Sequence, residues 1–83
     1  MANEVKAYIL MAVEIGKTDT VVTELRKIDA AIRVAVTTGE YDIVVLVEVP
    51  SLEALYDLTV NHIHKIPGIA DTTTAVVEKM ISI

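Results

Sequence analysis

Residues 37–49 read TTGEYDIVVLVEV, and this stretch decides the fold that the sequence predicts. A glycine at position 39 lies between two runs rich in β-branched residues, which is the pattern of a β-hairpin tip. After the tip, residues 41–49 are apolar on one alternating face and largely apolar on the other. Strands of this kind are covered on both sides. The stretch therefore predicts a hairpin whose second strand lies in the middle of a sheet.

The chain before this hairpin predicts a strand, a helix and the hairpin's first strand. Residues 5–15 alternate so that one face is wholly apolar and the other is apolar in its middle, which indicates a strand. Gly16 ends that strand, and residues 18–20 (Thr-Asp-Thr) supply N-caps for a helix whose last turn holds residues 26–27 (Arg-Lys). Residues 30–38 then lead into the turn as a second strand. The apolar stripe predicted for the helix consists of Val21, Val22, Leu25 and Ile28.

The chain after the hairpin predicts a second helix and a fourth strand. Pro50 stops the strand 41–49, and Ser51 is a good N-cap for a helix. Residues 67–68 (Pro-Gly) break the chain again, and residues 69–83 are rich in β-branched residues that favour a strand. The buried stripe predicted for the second helix consists of Leu52, Leu55, Thr59, His62 or Ile63, and Ile66.

The predicted elements follow the order β-α-β-β-α-β within one domain, residues 1–83. This order predicts an α+β, ferredoxin-like βαββαβ sandwich, with two helices on one face of a four-stranded antiparallel sheet. Hydrophobic residues make up 53% of the chain, above the usual share of about 45–50%. Because the strand patterns leave the second face of the sheet apolar, we expect the chain to dimerise through the sheet.

Composition narrows the classes of function and the cellular location. The net charge of −5 disfavours direct binding of nucleic acid, because an acidic surface repels phosphates. No apolar run is long enough to span a membrane, and no signal segment is recognisable. The chain has no cysteine, which excludes disulfides and thiolate metal sites. We expect a cytoplasmic protein that contacts neither nucleic acid nor membranes directly.

The residues that could carry chemistry do not form a catalytic or metal-binding pattern. His62 and His64 lie roughly 200° apart on a helix, so they cannot bind one metal ion from the same face. Glu14, Asp42 and Glu48 are the carboxylates available for acid–base chemistry, but nothing in the sequence sets their separation. We expect no catalytic residue, no metal, no cofactor and no enzymatic activity.

The Gly39 turn and a run of threonines are the candidate ligand-binding elements. Exposed backbone N–H groups in the turn suit a carboxylate, and Asp42 suits an ammonium group. Thr72 and Thr74 share one face of the last strand and can present hydroxyl groups to a polar cavity. The alternative is that Asp42 only holds the turn and that the threonines are only good strand formers. The binding interpretation describes a free amino acid as the ligand.

Two stretches resemble the effector domain of the Lrp/AsnC family, often called RAM for regulation of amino acid metabolism. They are residues 38–49 (TGEYDIVVLVEV) and residues 66–77 (IPGIADTTTAVV), and the likeness extends over about residues 7–79. The resemblance implies the ferredoxin-like fold, sheet-to-sheet dimers, and rings of dimers that are commonly octamers. It also implies amino acid effectors bound between dimers near the turn. The ligand-binding positions that it implies are Thr38, Gly39, Tyr41, Asp42, Thr72 and Thr74.

The chain departs from the family pattern in two respects. Asp71 precedes the threonine motif, where the family usually has a basic residue. Full-length members also carry an N-terminal helix-turn-helix DNA-binding domain, which these 83 residues lack. The chain therefore resembles a stand-alone RAM protein, with an excised domain as the alternative. Such a protein is expected to modulate full-length Lrp-like transcription regulators by assembling with them.

Two other functions are compatible with the same topology. Small dimeric α/β-barrel monooxygenases and isomerases share it, but they generally enclose a roomy cavity lined with His, Asn and aromatic residues. This chain has three Tyr and no Trp or Phe, which disfavours that alternative. The other possibility is a purely structural oligomerisation module, in which the turn makes only contacts between subunits.

Overall fold

The computed structural model describes residues 4–83 and has the element order β-α-β-β-α-β. The strands are β1 (Val5–Val13), β2 (Ala31–Val36), β3 (Ile43–Val49) and β4 (Ile69–Val76). The helices are α1 (Thr18–Leu25) and α2 (Leu52–Asn61), and a 3-10 turn, Ile63–Lys65, follows α2. The strands form one sheet in the order β2-β3-β1-β4, and every neighbouring pair is antiparallel. The predicted α+β, ferredoxin-like fold is confirmed.

The helix-facing side of the sheet forms the core. The central strands β1 and β3 place Ile9, Met11 and Val45 there with no exposed surface. Leu25 of α1 and Leu55 of α2 belong to the same buried cluster. Among residues 4–83 no polar or charged side chain is buried. Apolar burial therefore holds the two layers together, at roughly 1.5–3 kcal/mol for each large side chain.

All four strands are shorter than predicted. β2 and β3 lose residues at the turn that joins them. β1 ends at Val13, where its pairing with β4 shifts register and the chain leaves the sheet. β4 ends at Val76, which is paired with Ala7 of β1, rather than at residue 83. The β propensity of residues 77–83 is therefore not enough to extend the strand.

α1 begins and ends earlier than predicted. Its N-cap is Lys17, whose side chain makes no capping bond, so the prediction of a cap within residues 18–20 was wrong. Gly68 packs closely against Lys17, so that a Cβ atom added to Gly68 would lie 2.8 Å from the Lys17 Cβ atom. The helix ends at Leu25, so residues 26–27 follow the last turn instead of forming it. No basic residue occupies the last turn of this helix.

α2 begins as predicted, but its buried side differs at two predicted positions, of which Thr59 is only half-buried. The Ser51 hydroxyl accepts a hydrogen bond from the Ala54 N–H at 3.0 Å, which confirms the N-cap. Leu52, predicted to be buried, is 62% exposed, and Leu58 is buried instead. The 3-10 turn after the helix brings Ile63, and not His62, into the core, so the end of the helix selects the buried side. The buried residues of this segment are Leu55, Leu58, Ile63 and Ile66.

The opposite side of the sheet, which we call the open face, has no helix packed on it among residues 4–83. A depression of about 580 Å³ lies on it, and Met80, beyond the end of β4, lines this depression together with residues of β2 and β3. Residues that are paired across β1, β2 and β3 supply both the apolar and the charged side chains on this side. No helix among residues 4–83 is both long and apolar enough to cross a membrane. The open face includes Tyr8, Leu10, Val44 and Leu46, together with the charged Lys6, Arg33 and Glu48.

Candidate functional site

The turn between β2 and β3 is closed by two hydrogen bonds. The Thr37 N–H donates to the Asp42 carbonyl oxygen at 2.8 Å, and the Thr37 hydroxyl donates to the Tyr41 carbonyl oxygen at 2.8 Å. Gly39 has φ +116°, and an added Cβ atom would meet nothing within 4 Å. Glycine is therefore required here by the backbone conformation and not by lack of space.

The backbone of this turn presents unused hydrogen-bond donors. Within residues 4–83, no acceptor is bonded to the N–H groups of Thr38, Gly39, Glu40 or Tyr41. Thr38, Gly39 and Glu40 are also exposed. Successive free N–H groups in a turn attract anions such as a carboxylate. The turn thus has the backbone donors that the sequence predicted for it.

Asp42 holds the turn against β1. Its N–H donates to the Met11 carbonyl oxygen at 2.8 Å, and its carboxylate Oδ2 accepts from the Val13 N–H at 2.8 Å. Val13 lies where the pairing of β1 and β4 shifts register, so this carboxylate satisfies a donor that the sheet leaves free. The sequence left open whether Asp42 holds the turn or pairs with an ammonium group. The first role is observed, and the second stays a prediction for the other carboxylate oxygen.

Tyr41 links the turn to the far edge of the sheet. Its hydroxyl lies 3.2 Å from the Thr73 hydroxyl on β4, and either group can be the donor. Thr73 is paired with Leu10 and therefore lies on the open face. Sequence reasoning missed Thr73, because the strand pattern does not reveal which threonines share a face with the turn. The register of β1 and β4 supplies that information.

Thr72 and Thr74 lie on the other side of the sheet from Thr73. They are paired with Met11 and Ile9, whose side chains form the core. The Thr72 hydroxyl is 3.1 Å from the His64 Nε2 atom, and both residues line a depression of about 310 Å³. The six predicted site residues therefore fall into two places in one chain. Thr38, Gly39, Tyr41 and Asp42 form the turn, whereas Thr72 and Thr74 are separate from it.

Asp71 is a charged residue beside these threonines. Asp71 also lines the depression, and its Oδ1 atom accepts a hydrogen bond from the Thr72 N–H at 3.0 Å. His62 lies apart from His64 and is 3.8 Å from the Asp57 carboxylate. Within the described part of the chain, no three His, Asp or Glu side chains are grouped to hold a metal ion.

Comparison with known proteins relates this fold to one family. The family model described as the Lrp/AsnC ligand binding domain matches residues 6–82. FL11, an HTH-type transcriptional regulator from Pyrococcus horikoshii, is 37% identical over 73 residues, which are 88% of this chain and 48% of FL11. The crystal structure of FFRP-DM1 has a TM-score of 0.85 and 34% identity, and the match covers 88% of this chain and 97% of that one.

A more distant structure shares the fold. It is the transcriptional regulator NMB0573 from Neisseria meningitidis in complex with L-Met, with a TM-score of 0.88 and 19% identity. The match covers 94% of this chain and 52% of that one. This chain likewise spans about half the length of FL11, 48%. The family model accounts for nearly every described residue, and the resemblance seen in the two sequence motifs is confirmed. The chain belongs to the Lrp/AsnC family and corresponds to its ligand-binding domain.

Proposed function

We propose that this chain is a regulatory, non-enzymatic module that binds a free amino acid at the Gly39 turn. The observation that carries the proposal is the run of four unbonded N–H groups, Thr38 to Tyr41, of which the first three belong to exposed residues, followed in the chain by the carboxylate of Asp42. Donors for a carboxylate and an acceptor for an ammonium group are the two requirements of a free amino acid. The family match and the L-Met complex of the Neisseria regulator support the same ligand class.

The two carboxylate oxygens of Asp42 have different tasks in this proposal. Oδ2 accepts from the Val13 N–H and keeps the turn against β1. Oδ1 makes no hydrogen bond to the described part of the chain, so it is the atom that receives the ligand's ammonium group. Because Oδ2 fixes the side chain, Oδ1 is held in place before the ligand arrives, which lowers the entropic cost of binding.

The site is completed by another subunit. Thr38, Gly39 and Glu40 are exposed, so one chain gives the ligand no enclosing wall. Small-molecule sites generally bury most of the ligand surface. We place Thr72 and Thr74 of a neighbouring copy among the residues that close the site, since within one chain their side chains lie on the opposite side of the sheet from the contact between Tyr41 and Thr73. Two copies associate through their open faces, and such dimers assemble further, with an octamer as the expected ring.

Regulation follows if the ligand binds one assembly better than another. A ligand with equal affinity for two states shifts nothing, however tightly it binds. A site formed between subunits has this preference built in, because it is complete only in the larger assembly. Co-assembly with full-length Lrp-like regulators would then couple the amino acid to transcription, without direct contact between this acidic chain and DNA.

The interior argues against the alternative of a small barrel enzyme. In the described part of the chain no polar or charged side chain is buried, so the space between helices and sheet contains no group that could act as an acid, a base or a nucleophile. The depression of about 580 Å³ lies on the open face instead, where the second sheet is proposed to pack.

Isothermal titration calorimetry with the standard amino acids tests the proposal. At least one amino acid should release or absorb heat on mixing with the folded, oligomeric protein. Absence of heat with every one of them, on protein shown to be folded and oligomeric, contradicts the ligand class.

A variant locates the site. Asp42→Asn keeps an oxygen that accepts from the Val13 N–H but removes the charge that pairs with an ammonium group. We expect the affinity to fall by about tenfold or more, with an unchanged oligomer. Asp29→Asn is the matched control, because Asp29 is an exposed carboxylate at the opposite end of β2. Equal affinities for the two variants would place the site elsewhere, whereas dissociation of Asp42→Asn alone would support a purely structural turn.

A further inference from the structure

The side chain of Tyr41 links the Gly39 turn to a strand that is not its neighbour. Tyr41 comes just before β3, and its hydroxyl lies 3.2 Å from the hydroxyl of Thr73 on β4. The strand order places β1 between β3 and β4, so the link spans two strand spacings, or about 10 Å. The hydrogen bond between these hydroxyls therefore ties the turn to the far edge of the sheet.

The backbone of Tyr41 is held at the same time by the turn itself. Its carbonyl oxygen accepts from the Thr37 hydroxyl at 2.8 Å, while its N–H is the last of the four unbonded donors. Because peptide groups are planar and rigid, a rotation of Tyr41 would also turn the donors next to it. The residue thus belongs both to the donor run and to the link with β4.

Few side-chain hydrogen bonds connect this turn with the rest of the sheet. Among the described residues there are two, from the Asp42 carboxylate to the Val13 N–H and between Tyr41 and Thr73. Residues 38–40 in the middle of the turn are exposed, and Gly39 adds backbone freedom. Loss of either bond should therefore leave the donor run less ordered.

Thr73 is separated from the residues that are proposed to touch the ligand. It is paired with Leu10 and lies on the open face, whereas Thr72 and Thr74 lie on the other side of the sheet. Thr73 also does not line the depression that contains Thr72. An effect of its hydroxyl on ligand binding would therefore act through Tyr41.

We propose that Thr73 is a positioning residue of the amino acid site: its hydroxyl holds the Tyr41 side chain and so keeps the donors of residues 38–41 in the arrangement that receives the ligand's carboxylate. The inference rests on the proposed amino acid site at the Gly39 turn. A site that is ordered before the ligand arrives loses less conformational entropy on binding. The link therefore raises the affinity although Thr73 does not touch the ligand.

Two substitutions of Thr73 separate its hydroxyl from its place in the strand. Thr73→Val keeps a β-branched side chain, which suits β4, but removes the hydrogen bond. Thr73→Ser keeps the hydroxyl and gives up the branched side chain. If Thr73 were only a good strand former, valine would be harmless and serine would be the worse replacement.

Nuclear magnetic resonance relaxation of the protein without ligand measures the order of the turn. The backbone N–H order parameters of residues 38–41 should fall in Thr73→Val and in Tyr41→Phe, and Thr73→Ser should keep the original values. Tyr8→Phe is the matched control, because the Tyr8 hydroxyl makes no hydrogen bond within the described residues. Unchanged order parameters in both Thr73→Val and Tyr41→Phe overturn the positioning role.

Calorimetric titration with each of the twenty standard amino acids tests the consequence for binding. For an amino acid that binds the unmodified chain, the dissociation constant should rise about three- to tenfold in Thr73→Val and less than about twofold in Thr73→Ser. Tyr41→Phe should raise it by the same factor as Thr73→Val. The double variant should be no worse than either single variant, because both substitutions remove the same bond. Losses that multiply in the double variant contradict the link.

The results distinguish this inference from the proposed function. Binding by the unmodified chain with an equal affinity in Thr73→Val overturns the inference and leaves the amino acid site at the turn in place. No binding of any amino acid by the unmodified, folded and oligomeric protein overturns both. A loss in Thr73→Ser as large as that in Thr73→Val assigns the effect to the strand and not to the hydroxyl, which also overturns the inference.

Discussion

The two faces of the sheet are built from the same strands but have different chemistry. On the helix-facing side, Ile9 and Val45 have no exposed surface, and no polar group of the described chain is buried beside them. On the open face, Tyr8 and Leu46 remain partly exposed and share the surface with charged residues such as Arg33. Because alternate residues of a strand face opposite sides, one stretch can specify folding on one side and association on the other. The comparison separates the residues that stabilise the chain from those that assemble it.

The largest expected difference between the two faces is in the stability lost when neighbouring residues of β1 are truncated. Ile9→Ala removes a fully buried side chain and should lower the free energy of unfolding by about 2–5 kcal/mol. Leu10→Ala lies one residue away on the open face and should cost about 1 kcal/mol or less in the isolated chain. Urea denaturation at low protein concentration measures both values.

The Leu10→Ala deficit should grow with protein concentration, since losing a contact between copies lowers stability only where copies associate. An Ile9→Ala variant as stable as Leu10→Ala would mean that the two faces are not divided in this way.

A charge on the open face should separate assembly from folding. Leu46 is paired with both Tyr8 and Arg33, so Leu46→Arg places a positive charge in the middle of that face. We expect a monomer by light scattering with a native circular dichroism spectrum, because like charges buried between copies cost several kcal/mol, about 3 or more. Leu52→Arg is the matched control, because Leu52 is an exposed leucine on α2, away from the sheet. A Leu46→Arg chain that still dimerises would assign the interface to another surface.

Substitution of Asp42 should have a smaller effect on stability, because this residue lies in the turn at the edge of the sheet. Asp42→Ala leaves the Val13 N–H without its acceptor, which should lower the free energy of unfolding by about 1–3 kcal/mol. Asp42→Asn keeps an acceptor and should recover most of that loss. Thermal unfolding of the two variants checks the order. Equal losses would mean that the charge of Asp42, and not its bond to Val13, stabilises the turn.

The sequence predicts the helix-facing side better than the open face, for a physical reason. Periods of 2 and 3.6 identify the strands, the Ser51 cap and the buried Leu55 directly, because burial in the core follows from the chain's own pattern. The start of α1 is less predictable in this way, since the N-cap Lys17 makes no side-chain capping bond and packs closely against Gly68, 51 positions later in the chain. Local capping preference does not include such a tertiary contact.

The residues of the candidate site also differ in how well the sequence predicts them. Gly39 and Asp42 are identified by local turn chemistry, and the structure places both in the turn. Thr73 is not identifiable, because its link to Tyr41 depends on the register between β1 and β4, which is a long-range property. Register information becomes available only when the strands are paired, and the sequence alone therefore points to Thr72 and Thr74 instead.

The smallest expected effect is on the pH dependence of folding stability. Among residues 4–83 the titratable groups lie outside the helix-facing core, so any such dependence belongs to the surface. The pKa of Glu4 is raised above 4.5, first by a hydrogen bond to the Glu48 side chain on the open face and then by repulsion from its charge. A raised pKa means that the folded chain holds this proton more tightly than the unfolded chain. The stabilisation is therefore complete below pH 4.5 and is lost as the pH rises through the folded-state pKa.

Glu4→Gln should flatten this dependence in thermal melts recorded across that pH window. Glu53→Gln, which changes an exposed carboxylate on α2, should leave it unaltered. The effect is small because solvent screens an exposed pair, and at most a slight loss of slope is expected. If Glu53→Gln changes the slope and Glu4→Gln does not, the pH dependence of stability arises on the helix side. That result would contradict the proposed difference between the two faces. A slope lost with Glu4→Gln alone would assign it to the end of the open face where Glu4 meets Glu48.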